Sequence, residues 1–335
     1  MVPADASWLP AAFAFLMGAS ILAYVILDGY DLGVGILLGR ASPEEADIMV
    51  GSIGPFWDAN ETWLVMAIGL LLVAFPTAHG YILTALYLPV AVLLLALIAR
   101  GVAFEFRAKV ATPEEKALWN RVFTGGSLIA GLAQGFMLGL YIVGLEMTVP
   151  HLAFAALTAV CIAAGYAFIG AAWLIFKTEG ELQQKAIDWA RTTLWLVGLG
   201  MIAVSLATPL VSERIFSKWF AFPYIILLAP LPLVTAAVFV GLWYMLGRMP
   251  FPRDRWSWVP LAGAVALFVL GFHGLAYSFW PYVVPEKLTI WQAAAAPESL
   301  FIIFVGACIV LPVIVAYSAL AYWVFRGKAT TLRYD

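Results

Sequence analysis

Nine stretches of apolar residues, each about 20 or more long, recur along the chain between short polar breaks. Runs of that length mark membrane-spanning helices. They predict helices over residues 8–38, 57–77, 81–106, 118–145, 150–176, 187–209, 219–247, 257–282 and 299–325. The first is long enough to tilt or protrude. The seventh carries Pro223, Pro230 and Pro232, so its N-terminal half is expected to be kinked or broken. Between the first two runs, residues 39–54 hold Glu44, Glu45 and Asp47 and read as a solvated surface helix.

Composition agrees with the pattern. The chain has 335 residues, of which 64% are hydrophobic and 11% charged, against about 25% charged in a soluble domain. The fold class is therefore an all-α polytopic membrane protein, a single integral membrane domain over 1–335. There is no basic patch on which nucleic-acid binding could rest. The two cysteines, Cys161 and Cys308, lie inside apolar runs and support neither a disulfide framework nor a zinc site. Residues Met1–Ser7 contain an acid but no Lys or Arg, so the first helix is expected to be retained rather than cleaved as a leader.

The distribution of basic residues sets an orientation. With the N-terminus outside, the inner loops and helix ends hold Arg40, Arg107, Lys109, Lys116, Arg121, Lys177, Lys185, Arg191, Arg248, Arg253, Arg255, Arg326, Lys328 and Arg333. The outer loops hold Arg214, Lys218 and Lys287. This asymmetry obeys the positive-inside rule at every inner loop. It predicts an outer N-terminus and a cytoplasmic C-terminus.

Charges inside the apolar runs are expensive and mark candidate sites. Asp58 and Glu61 stand at the mouth of the second helix, spaced i and i+3 on one face and flanked by Trp57 and Trp63. A blander reading makes Asp58 or Asn60 a helix N-cap. The first helix contributes a second acidic pair, Asp28 and Asp31, and the third ends with Arg100, Glu105 and Arg107. Helix geometry brings Asp28, Asp31, Asp58, Glu61, Arg100 and Glu105 to the inner third of the membrane, with Arg100 as charge partner. Gly29 and Gly33, with Gly35 beyond, form a small-residue stripe that lets another helix approach closely; packing alone accounts for them.

Other chemistry is sparse. Of three histidines, His79 and His151 fall at outer loops and only His273 lies within a span. No metal cluster, nucleophile triad, phosphate loop or dinucleotide fingerprint is present. The stretches Pro76–Leu83 and Ala221–Leu227 hint at an internal duplication, and two four-helix bundles plus one peripheral helix would fit nine.

The segments Leu27-Asp-Gly-Tyr-Asp-Leu-Gly-Val-Gly35, Phe56-Trp-Asp-Ala-Asn-Glu-Thr-Trp-Leu64 and Arg100-Gly-Val-Ala-Phe-Glu-Phe-Arg107 resemble subunit II of cytochrome bd quinol oxidases. Tyr277–Pro285 and Ala321–Lys328 match the same pattern, so the resemblance covers nearly the whole chain. It implies a bacterial inner-membrane heterodimer with subunit I that oxidises quinol and reduces dioxygen to water. The resemblance assigns two haems b and one haem d to subunit I, and no metal or haem ligand to this chain. It also implies small single-helix accessory subunits in some members, and a structural quinone. Asp58 falls on the family's proton-route acid, and Trp63 lies near its suspected oxygen route, with Trp57 alongside. Glu61 occupies a position that varies between Glu and Gln. The alternative reading is a proton-coupled secondary transporter, which also explains intramembrane acids and a proline-broken helix. A structural scaffold would explain the lack of a catalytic constellation but not the acids.

Overall fold

The computed structural model describes residues 7–329. Arg333 and residues 1–6 of the N-terminal stretch lie outside the described residues. Thirteen α-helices run in order: α1 Leu9–Leu38, α2 Pro43–Ile53, α3 Trp57–Ala74, α4 Pro76–Ala85, α5 Tyr87–Arg107, α6 Pro113–Ile142, α7 Val149–Lys177, α8 Gly180–Val211, α9 Glu213–Phe220, α10 Tyr224–Leu228, α11 Pro230–Leu246, α12 Val259–Phe279 and α13 Pro297–Val324. Nine spans among the described residues are long and apolar enough to cross a membrane, α10 and α11 counting together as one.

Local sequence explains the breaks. Ser42 and Thr112 cap α2 and α6; each side chain accepts from the third residue of its helix, and Glu45 or Glu115 reaches back to the cap. Proline follows each cap at the first helical position, where its missing N–H costs nothing. The third span, expected over 81–106, is instead divided at Leu86 into α4 and α5. Phe75 adopts a non-helical conformation before Pro76, which restarts the chain as a separate short helix. The proline-rich seventh span breaks as expected, between α10 and α11 at Ala229. Both stretches that hinted at duplication thus form a short helix leading into a long one.

The expected solvated helix at 39–54 is half buried. Met49, Val50 and Ile53 of α2 lie in the core, while Asp47 faces Arg107 and Lys116 and Glu45 faces Lys185 at 2.7 Å. Asp47 and Glu45 are therefore tied to α5, α6 and α8, and Glu44 stays exposed beside Ser42. The outer rim between α12 and α13 holds a small antiparallel hairpin, β1 Tyr282–Val284 with β2 Leu288–Thr289. Hydrogen bonds from Tyr141 to the Val283 carbonyl (2.6 Å) and from the Ala295 N–H to the Ala74 carbonyl (2.9 Å) seat this rim on the helix ends.

At the centre, α1 packs against α3, α6, α7 and α12; α6 lies between α5 and α7, and α8 packs on α7 and α11. The stripe Gly29–Gly33 is the closest part of this packing. A Cβ on Gly33 would stand 1.8 Å from the Tyr166 carbonyl oxygen, and one on Gly170 of α7 would stand 2.3 Å from the Gly33 carbonyl carbon. Only glycine permits backbones that near. Gly29 faces the Tyr166 ring, and Gly35 meets Ser127 of α6. By contrast α13 buries little beyond Leu300 and rests on α1 and α3 from outside.

Candidate charge site within the membrane

The α1 turn that carries Asp28, Tyr30 and Asp31 faces the middle of the molecule, because Gly29 and Gly33 hold it against α7. Asp28, Asp31 and Arg100 are each 0% exposed. Arg100, from α5, sets Nη1 2.9 Å from Asp28 Oδ1 and 3.8 Å from Glu61 Oε2. Its guanidinium also lies 5.9 Å from the Trp57 ring and 5.8 Å from Phe123, within cation–π range. The Asp28–Arg100 approach is a charge contact without hydrogen-bond alignment. Among the described residues both Asp28 oxygens, one Asp31 oxygen and three guanidinium nitrogens lack a well-aligned hydrogen-bond partner, although the Tyr24 hydroxyl lies close to Asp28. Pairing lowers the cost of burying these charges, and the open donors and acceptors keep much of that cost in place.

Two hydrogen-bonded arms surround the pair. Asn60 donates to Asp31 Oδ2 and to Tyr30, both at 2.7 Å, and accepts from Tyr322 of α13 at 3.1 Å. Tyr30 and Tyr322 hydroxyls are 2.6 Å apart. On the other side Tyr166 donates to Gln134 Oε1 (2.5 Å), whose amide donates to Tyr24 (2.8 Å). Tyr24, Tyr30, Tyr166 and Tyr322 were not legible as site residues. Tyrosine inside an apolar run gives no signal of its own, and Tyr322 joins from the far end of the chain.

The expected cluster is thus partly assembled. Asp28, Asp31, Arg100 and Glu61 come together. Glu61 is intermediate, its side chain 28% exposed. Asp58 is exposed, one turn nearer the start of α3, with no ion pair or hydrogen bond among the described residues. Glu105 does not join: it is exposed and pairs with Lys109 at 3.6 Å, because five residues beyond Arg100 the α5 surface has turned away. Phe56, not Asp58 or Asn60, occupies the N-cap position of α3, so the capping reading is overturned and Asn60 is a buried network residue. Trp57 stacks at a tilt on Phe104 (4.8 Å), and Trp63 is half-buried on α3.

The histidines stand on α4, α7 and α12. Nδ1 of His151 contacts the Glu146 carbonyl, and Nδ1 of His273 contacts the Val269 carbonyl at 2.7 Å. Among the described residues no group of three or more His, Cys, Asp or Glu could hold a metal ion.

Nine candidate spans among the described residues, with acids, an arginine and tyrosines enclosed between some of them, define a multi-pass membrane protein that keeps ionisable groups below its surface. The chain belongs to the cytochrome bd terminal oxidase subunit II family, whose match spans residues 9–325. It is similar to cytochrome bd ubiquinol oxidase subunit 2 of Bacillus subtilis (strain 168), 26% identical over 340 residues, covering 94% of this chain and 95% of the relative. It is also similar to cytochrome bd-I ubiquinol oxidase subunit 2 of Escherichia coli (strain K12), 25% identical over 363 residues, covering 94% and 93%. A chain of the bd oxidase structure from Geobacillus thermodenitrificans shares the fold, with a TM-score of 0.74 at 16% identity, covering 95% of this chain and 98% of that one.

Proposed function

We propose that this chain supports a haem-bearing subunit I in a quinol:oxygen oxidoreductase and supplies part of its cytoplasmic proton uptake. The observation that carries the second half is Arg100 bridging Glu61 and Asp28. It links a partly exposed carboxylate to a wholly buried one through a single guanidinium nitrogen, 3.8 Å from Glu61 and 2.9 Å from Asp28. Asp58 lies at the exposed end of that line, Glu61 next, and Asp28 and Asp31 at its end. Open lone pairs on Asp28 and Asp31 suit groups that take up and release protons. Trp57 and Trp63 flank the entrance as candidates for the oxygen route or the partner interface.

The same reading places the N-terminus outside, from the basic inner loops. It groups the first four spans and the next four as two bundles with α13 peripheral, the two halves meeting where α1 and α6 pack on α7. In this reading the haems b and haem d belong to subunit I, as the family resemblance implies, and the intramembrane His273 of this chain is bound only to its own helix. Small single-helix subunits and a structural quinone are compatible additions to the complex.

The test is oxygen consumption per haem in the purified complex. Asp58→Asn and Glu61→Gln retain size and hydrogen bonding but remove the titrating proton. Slow turnover with full haem content supports proton delivery. Wild-type turnover in both would leave the acids as structural. A colourless protein purifying alone would instead favour the transporter.

A further inference from the structure

A groove of about 510 Å³ lies where α8 meets α11, on helices that contribute nothing to the charged cluster. Trp195, Leu196 and Trp243 wall it, and Arg191, Thr192 and Gly247 close one end. That volume is within the range of small-molecule clefts, and the groove is open along one side. Both indoles are about half exposed, Trp195 at 53% and Trp243 at 52%. From Trp195 an exposed strip continues along α8 through Leu199, Ile202 and Leu206, roughly 16 Å of helix at 1.5 Å per residue. The groove therefore has a long apolar floor and one polar end.

The polar end is basic. Arg191 donates to the Leu246 carbonyl at 2.7 and 3.0 Å, and through Nη1 to Asp188 at 3.0 Å. Asp188 is itself 60% exposed, so its charge is well screened by solvent. Arg248, the residue after Gly247, lies over the Tyr244 ring at 3.7 Å and has no ion pair among the described residues. Arg253 and Arg255 follow in the same loop without an ion pair among the described residues, Asp254 between them being paired with Lys328, beside the exposed Trp256 and Trp258. Three arginines without ion pairs next to exposed indoles, at the end of an apolar groove between two spans, match the chemistry of a phosphate headgroup above acyl chains.

We propose that this groove binds an anionic phospholipid. Its acyl chains lie along Trp195, Trp243 and the α8 strip, and its phosphate sits at Arg191 and Arg248. A zwitterionic lipid would fill the same apolar floor but bring no net charge to the arginines, so the site should prefer the anionic headgroup.

The experiment uses the whole complex, stripped of lipid and reconstituted in nanodiscs of equal phosphatidylglycerol and phosphatidylcholine. Native mass spectrometry then counts the lipids that stay bound. A several-fold excess of retained phosphatidylglycerol is expected. Arg248→Gln should bring the ratio towards parity; it is chosen because Arg191 also caps α11. Leu196→Trp, which fills the groove, should lower retention of both lipids. Millimolar inorganic phosphate should not displace phosphatidylglycerol; displacement would mean an anion site and overturn the lipid assignment. Parity in the unmodified complex, or an unchanged ratio in Arg248→Gln, would also overturn it. So would a photo-crosslinker at position 243 that captures a neighbouring subunit instead of lipid.

Discussion

Lys177 and Lys328 each cap the end of the helix that the other belongs to or follows. Lys177, the last residue of α7, donates to the carbonyls of Phe325 (2.5 Å) and Gly327 (2.8 Å) just beyond α13. Lys328 returns the contact to the carbonyls of Phe176 (2.9 Å) and Thr178 (3.1 Å) and pairs with Asp254. Cations at helix C-termini satisfy orphan carbonyls and complement the dipole. Because α13 buries so little elsewhere, this exchange is a main attachment of its final turn.

Lys177→Met keeps the length and loses the donors. Limited proteolysis of the variant should cut after α13 several-fold faster than in the wild type, with the rest of the chain resistant. Equal rates would show that the exchange of lysines does not hold the terminus.

Gly33→Ala should lower the yield of assembled complex, since its methyl group would meet the α7 backbone. Gly69→Ala is the control: nothing lies within 4 Å of its added carbon, and alanine favours a helix by about 0.5–1 kcal/mol over glycine. Similar yields for both variants would remove the crossing as a determinant of assembly.

Asp47 supplies a pH dependence. Burial raises its carboxyl, but hydrogen bonds from Lys116 and Arg107 outweigh this and hold it below the usual range. Its contribution is therefore present above the unfolded value, about 3.9, and is lost as pH falls through the lower folded value. Thermal melting between pH 6 and pH 3 should show a steeper acid loss in wild type than in Asp47→Asn. Parallel curves would exclude Asp47 as a source of acid sensitivity.

His273 is exposed on α12 and bound only to its own helix. His273→Ala should leave all haem bands in the reduced-minus-oxidised spectrum of the complex. Loss of one band with assembly intact would assign that haem to this chain.

The nine spans were legible because hydropathy integrates over about 20 residues and tolerates local error. Breaks inside a span were harder. The third span divides at Leu86 because Pro89 leaves the Ala85 carbonyl without its i+4 donor, a single proline easily passed over, while the three prolines of the seventh announced its break. The cluster was half legible for a related reason. Spacing placed Asp58 and Glu61 on one helix face, but only the direction of that face towards Arg100 decides which is drawn inward. That direction is set by packing between α1 and α3. Asn60, two residues after the exposed Asp58, points to the buried side, and Tyr322 completes its network from more than 250 residues away. No local pattern carries such a contact.

The crossing at Gly33 and Gly170 has a mechanical consequence for the acids one turn away. With backbone against backbone, α1 cannot roll about its axis or slide along α7 without collision. Asp28 and Asp31 therefore keep a fixed bearing whatever charge they carry. A change in their protonation has to be absorbed by side-chain rotation and local solvation, on a scaffold that acts as a pivot pin and not as a lever.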